Sequence, residues 1–420
     1  MIRRVFYASA GNADIIASHK AWVNGDDNPT EVSITFSGQI QTFCQDIGAD
    51  ALLVSTHPDG RVLHDGKFRL QHIGKRVRSG LAFHLEELRY AWQLLCIAKS
   101  FKADVAIIDS GVTHFFMLAL FPLFGIPVVP ILHNCLWPAG YRPRSLVQRI
   151  TQALDAISWR RGPFVVIAVS PEAERQVGEL TGRVHRPVVQ IRAQFHRAYF
   201  AAIPSIDPTT APFRVMFIGR VLEAKGVLDI VQMARRIEDR APGLVRWTIC
   251  GRGDDLERLQ GAIDELELGA VVAAPGWVSL ENLQDIYARS HASIIPTRSG
   301  FAEGLAMTAA EAILAGRPII SNPIVPALEL LMPAAMPARS NDWESHAEAV
   351  YALATDRALY ARLQVACAAL SEQFYDRSHG LPEVLKRVLH SSSFPQRNGR
   401  SRGQGDMGHD RSRDDSVHGD

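Results

Sequence analysis

Short, almost uninterrupted apolar runs recur along this chain, and each gap between them carries helical periodicity. That alternation constrains the fold more than any other feature. Val5 to Ala8, Ala51 to Ser55, Val105 to Asp109, Pro127 to His133, Phe164 to Val169 and Val188 to Ile191 have the length and apolarity of strands buried on both faces. Between them, Ser37 to Ile47, Leu81 to Ser100, Thr113 to Phe124, Ser145 to Trp159 and Glu172 to Leu180 read as helices. Strand, helix, strand in this order is the pattern of βαβ units and a parallel sheet.

The rhythm pauses at "AAIPSIDPTTAP", Ala201 to Pro212, a proline-rich stretch read as a linker, and then restarts. "FRVMFIG", "LVRWTICG", "HASIIPT" and "RPIIS" are further strands, and Val227, Ile230, Val231, Ala234 and Ile237 form one helix face. The expected fold is therefore α/β, with two tandem Rossmann-like, doubly wound domains, residues 1–205 and 206–373. A cleft between them would face the carboxyl ends of both sheets. Asp342 to Phe374 reads as one long helical stretch. Residues 374–390 form a last helix, packed on its own domain or crossing back to the first, and residues 391–420 read as a disordered tail.

Charge and cysteine content remove several classes. With 45 Lys and Arg against 44 Asp and Glu, the chain as a whole is no polyanion binder, which argues against nucleic acid as a partner. The charge is divided unevenly: residues 1–205 hold 22 Lys and Arg against 16 Asp and Glu, and residues 206–390 hold 18 against 23. The five cysteines, Cys44, Cys96, Cys135, Cys250 and Cys367, show no paired spacing, so neither a disulfide framework nor a zinc site is indicated and a reducing cytoplasm fits. The stretch from Val112 to Leu132 lacks Asp, Glu, Lys and Arg, but Pro122, Gly125, Pro127 and Pro130 divide it into a helix, a turn and a strand. "MIRRVFYASAGNAD" reads as a first strand and not as an export signal.

The chemistry concentrates in "PTRSGFAEGLAMTAAEAILAGRP". Here a strand ends in a loop carrying Glu303 and Gly304, and Glu311 follows Glu303 with seven residues between them. Glu303 would point into the cleft, the free amides of the next helical turn would attract phosphate, and Glu311 could accept from a ribose hydroxyl; a polar loop residue and a helix-surface charge remain the alternative. In "FIGRVLEAKGVLDIV", Gly219 and Arg220 close the domain's first strand, and Lys225 and Gly226 precede its helix. Two cations there suit a leaving diphosphate, although a solvated basic loop would read the same way.

Together with "ICGRGDDLERL" and "PGWVSLENLQDIYARSHASIIPTRSGFAEGLAMTAAEAILAGRPII", these segments resemble the nucleotide-sugar domain of retaining glycosyltransferases of family 4, which adopt the GT-B fold. The resemblance covers residues 213 to 330 well and extends loosely to "PVVPILHN" and "FVVIAVSPEAERQV". It implies that Arg220 and Lys225 meet the donor diphosphate, Glu303 the transferred sugar and Glu311 the ribose. Gly304, Leu305 and Ala306 would offer backbone amides, Val278 would lie near the nucleobase, and His133 would face the sugar from the first half. It further implies hexose transfer with retention and without a metal or other cofactor. In the family a compact glycine-rich loop follows the first strand; here residues 9–36 intervene, with Gly11 and Ser37 to Gly38 the nearest candidates, and no catalytic role is assigned there.

The expected protein is a cytoplasmic glycosyltransferase acting on a glycan or lipid-linked acceptor in envelope or exopolysaccharide synthesis. Alternatives are a GT-B phosphorylase, a sugar-nucleotide epimerase or a two-lobed sugar-binding protein. A nicotinamide dehydrogenase fits less well, since no G-x-G-x-x-G follows either opening strand. In "YRPRSLVQRITQALDAISWRR", Leu146, Ile150, Leu154 and Ile157 form an apolar stripe beside Arg142, Arg144, Arg149, Arg160 and Arg161. That helix either rests on an anionic membrane or turns its stripe to the core.

Overall fold

A computed structural model describes residues 2–25 and 31–390; the tail expected at 391–420 lies outside the described residues. In the first half, β1 (Arg4–Ser9), β2 (Asp50–Ser55), β3 (Val62–Asp65), β4 (Phe68–His72), β5 (Val105–Asp109), β6 (Val128–Leu132), β7 (Val166–Ala168) and β8 (Val188–Gln190) make one sheet in the order 3-4-2-1-5-6-7-8. All its pairings are parallel except the β3–β4 hairpin. Its helices are α1 (Ile15–Val23), α2 (Phe36–Asp46), α3 (Gly80–Ser100), α4 (Leu120–Leu123), α5 (Leu146–Arg161), α6 (Pro171–Thr181) and α7 (Arg197–Ala201).

The second sheet, wholly parallel, contains β9 (Phe213–Ile218), β10 (Val245–Cys250), β11 (Val272–Gly276), β12 (Ala292–Ile295), β13 (Ile319–Ser321) and β14 (Ala335–Pro337) in the order 11-10-9-12-13-14. Around it lie α8 (Val227–Arg240), α9 (Leu256–Glu265), α10 (Leu280–Arg289), α11 (Met307–Leu314), α12 (Ala327–Leu331), α13 (Trp343–Thr355) and α14 (Arg357–Ser371). The expected α/β architecture of two doubly wound sheets is present. The strand order reverses beside β1 and again beside β9, and a crevice opens at the carboxyl ends of strands at each such point.

Three local readings change. The expected single helix over Asp342 to Phe374 is two, because the Asp356 N–H closes α13 on Ala352 O while its carboxylate accepts the Leu359 N–H of α14. The expected helix over Thr113 to Phe124 begins as a tighter 3₁₀ turn, Phe115–Ala119, before α4. The segment between β1 and α2 contains α1, whose N-terminus is capped by the Asp14 carboxylate on Ala17 N–H.

The last helix, α15 (Leu381–Leu389), packs on α2 of the first half. Leu381, Val384 and Leu385 are fully buried and share an apolar cluster with Ile40 and Phe43. The Leu381 N–H donates to Gln39 Oε1 at 3.2 Å, and Lys386 Nζ stands 2.6 Å from Asp46 Oδ2. Helix α5 behaves differently: Asp155, Ala156, Ser158 and Trp159 face inward, whereas Leu146, Ile150, Leu154 and Ile157 are exposed, so the stripe is not a core face.

Candidate active site

Because β1, β5, β6, β9 and β12 all end toward the same space, the residues just after them line one cleft of about 800 Å³. Ser9 and Gly11 follow from β1, Asp109 ends β5, His133 follows β6, Gly219 follows β9, and Thr297 follows β12. Sequence-distant groups meet here because doubly wound topology sends every such loop to the same edge.

Lys225 and Glu303 form an ion pair in this cleft, with both side chains largely shielded from solvent. Thr297 Oγ1 donates to the same Glu303 Oε1 at 2.7 Å, which fixes the carboxylate. Gly226, which places Lys225 at the start of α8, sits at φ 77°, and a Cβ there would strike the Pro296 carbonyl oxygen. Only glycine satisfies both the left-handed backbone and that close approach.

The next three residues give the site its anion-binding character. Among the described residues, the backbone N–H groups of Gly304, Leu305 and Ala306 donate to no protein acceptor, and all three residues line the cleft. Ala306 has φ 65°, a left-handed conformation that costs an alanine roughly 1–2 kcal/mol. Strain of this kind persists where the surroundings impose it. The first turn of α11 follows directly, so its free amides and dipole add to the same positive field.

The halves touch at this loop. Cys135 N–H donates to the Glu303 carbonyl at 2.9 Å, and a Cβ on Gly304 would collide with the His133 carbonyl oxygen. His133 Nε2 lies 2.8 Å from Asp109 Oδ1, its ring meets Phe36 edge-on at 4.2 Å, and Tyr7 OH donates to Asp109 Oδ2 at 2.5 Å. Burial, and then Asp109, push the Tyr7 phenol well above its usual range, so it stays protonated as a donor. The buried Cys135 thiol is pushed up to about 12 by desolvation, which keeps thiolate chemistry out of this cleft at neutral pH.

Glu311 lies on α11, buried, with its Oε2 accepting from Tyr287 OH at 2.9 Å. Burial pushes its carboxyl up to about 7 despite the hydrogen bond from Tyr287. Arg220 is exposed and lies over the Phe301 ring at 4.8 Å, with Lys225 over the same ring at 4.3 Å. Arg220 is thus near the cleft but outside its lining, and Val278 packs into the apolar cluster, also outside the lining. Thr297, Tyr287, Phe301 and the Asp109–Tyr7 pair were not legible in the sequence as partners of the site.

Residues 203–366 match the family described as "Glycosyl transferases group 1". Glycogen synthases from two strains of Mycobacterium tuberculosis are 24% identical over 231 residues, 54% of this chain and 53% of theirs, so the chain spans about half the length of the curated relatives it matches. Sucrose-phosphate synthase from Thermosynechococcus elongatus superposes with a TM-score of 0.68 at 14% identity, over 92% of this chain and 98% of that one. A trehalose-6-phosphate protein from E. coli bound with UDP-2-fluoro glucose gives 0.69 at 10% identity, covering 92% and 99%. Anabaena HepE in complex with UDP gives 0.65 at 15%, again over 92% and 99%. The family match in the second half and the fold likeness over nearly the whole chain lead to one conclusion: residues 203–366 form a glycosyl transferases group 1 domain within a two-sheet GT-B fold.

Proposed function

We propose that this chain is a retaining glycosyltransferase that moves a hexose from a nucleoside diphosphate sugar to a glycan or lipid-linked acceptor, in the cytoplasm, for envelope or exopolysaccharide synthesis. The observation that carries the reading is the run of unpaired amides at Gly304, Leu305 and Ala306 beside Lys225 and Glu303, facing His133 across the cleft. A diphosphate would lie against the amides and Lys225, with Arg220 adding long-range charge. The acceptor hydroxyl forms the new bond to the anomeric carbon as the bond to the phosphate oxygen breaks, and that departing oxygen takes the hydroxyl proton. Glu303 would hold the sugar hydroxyls, and His133, backed by Asp109, would meet the sugar from the other side. Lys225, the amides and the α11 dipole together supply the charge, so the reading includes no metal in the step. A phosphorylase built on pyridoxal would need its aldehyde on a lysine of this half, and Lys225 is already engaged by Glu303.

A thermal-shift panel of UDP-, GDP- and ADP-sugars tests the donor. One nucleotide class should raise the unfolding midpoint strongly, by about 3 kcal/mol of added stability at a hundred times its dissociation constant. UDP-sugars come first, because two structurally similar proteins are described with UDP or a UDP-sugar. No shift with any class would remove the donor assignment.

Glu311 sets a pH dependence. With its carboxyl near 7 in the free protein, it is mostly protonated at pH 6, whereas a ribose hydroxyl donates best to the ionised form. Donor affinity should therefore rise as pH increases toward 7, by up to about tenfold per unit, and level off above it. Calorimetry between pH 5.5 and about 8 checks this, and Glu311→Gln should flatten the profile.

The membrane part of the proposal rests on α5. Leu146, Ile150, Leu154 and Ile157 are 41% to 72% exposed, with Arg142, Arg144, Arg149 and Arg161 exposed beside them. Leu81 and Leu85 on α3 and Leu123 on α4 are exposed as well, and both helices contact the 3₁₀ turn Phe115–Ala119 that packs on α5. No helix among the described residues is long and apolar enough to cross a membrane. An interfacial attachment to anionic lipid fits an apolar stripe flanked by arginines. Vesicles with anionic lipid should co-sediment the chain, neutral vesicles should not, and Ile150→Glu with Leu154→Glu should weaken binding at least about tenfold.

A further inference from the structure

Beside the cleft, the turn between β2 and β3 and the end of β4 bring His57, Asp59 and His72 together, with one donor atom of each within 4.8 Å of the others. We propose that these three residues bind a divalent transition metal ion, zinc by their donor set, which clips the β2–β3 turn to β4. Two imidazoles and a carboxylate are borderline nitrogen and oxygen ligands of the kind zinc takes, and three protein ligands leave a fourth position for water.

One spacing already suits such an ion. Ligands about 2.0–2.2 Å from a tetrahedral zinc stand roughly 3.3–3.6 Å from one another, and His57 Nδ1 is 3.3 Å from Asp59 Oδ1. His72 Nδ1 lies 2.5 Å from the same oxygen, close enough for a shared proton that the metal would displace to solvent. The two rings stand 4.7 Å apart, centre to centre.

The surroundings point the same way. His72 is fully buried, and its Nε2, without a hydrogen bond, faces Asp14 Oδ1 at 3.5 Å. A neutral imidazole has one N–H, so between two carboxylate oxygens one of its nitrogens opposes a lone pair. A metal on Nδ1 removes that conflict and leaves the Nε2 proton to Asp14. A carboxylate behind a ligating histidine fixes its tautomer and raises its basicity. The Arg61 guanidinium meets Oδ2 of both Asp59 and Asp14, and their Oδ1 atoms, besides facing His72, accept from the Arg61 N–H at 3.1 Å and the Ala17 N–H at 2.9 Å.

The test uses the full chain, treated with a chelator, dialysed and titrated with zinc chloride by calorimetry. One equivalent should bind to the wild type and weaken at least about tenfold in His57→Ala and in Asp59→Asn. His57 lies on a partly exposed turn, so its replacement leaves the core filled. Cobalt chloride should give the visible absorption of an imidazole-ligated ion in the wild type and lose it in His57→Ala. Equal zinc binding by wild type and His57→Ala, or none by the wild type, overturns the proposal. The readout is metal binding alone, so its failure is separate from any failure of the sugar-transfer reading.

Discussion

Lys225→Ala is expected to lower kcat/KM for sugar transfer by about 10²–10³, the usual loss when one group stabilising transition-state charge is removed. Glu303→Ala should do at least as much, because it removes the sugar contact and also frees Lys225 from its partner. Glu303→Gln keeps an oxygen that can accept from Thr297, so it separates the loss of charge from the loss of position. The double variant should be little worse than the worse single one, since residues that act as a unit lose their contribution together. All four variants should unfold at nearly the wild-type temperature. Full activity in Lys225→Ala or Glu303→Ala would place the chemistry elsewhere.

The second large effect belongs to α15. Leu381, Val384 and Leu385 are fully buried and Leu389 is 3% exposed. Each such side chain contributes about 1.5–3 kcal/mol by burial, so removing residues 381–390 costs on the order of a small domain's whole stability. Leu385→Ala should cost about 2–5 kcal/mol, and Leu385→Asp more, because a buried unpaired charge is added to the lost packing. Hydrogen exchange locates the damage: α2 should lose protection while β9, β10 and β12 keep theirs. Unchanged protection of α2 in the truncated chain would show that its stability does not depend on the last helix.

Much of this architecture was legible because doubly wound sheets bury their central strands on both faces. Val105–Asp109 and Val128–Leu132 carry no polar residue before their ends, and they were placed to within a residue or two. The β3–β4 hairpin is hard to read because "VLHD" and "FRLQH" are short and half polar, and only the two-residue turn between them, Gly66-Lys67 with Gly66 at φ 54°, signals it. The break at Asp356 is hidden by apolar periodicity that runs on through it; only the aspartate's side chain, capping the second helix, marks the boundary. Glu303, Lys225 and Glu311 stood out through an ordered motif, but Thr297, Tyr287 and Asp109 did not. Their part comes from which strand ends meet, and chain distance conceals that. The α5 stripe shows the same limit: an amphipathic pattern marks the apolar face without saying what covers it.

The docking of α15 also orders events in time. Its leucines complete the cluster that contains Ile40 and Phe43, yet they are among the last described residues to be synthesised. Domains generally fold from the N-terminus as synthesis proceeds. Here the first half must wait on the ribosome with that face of α2 uncovered until residues 381–389 emerge. A nascent chain arrested before that point should remain open to protease at α2 and bound by chaperones, and release of the full chain should close both together.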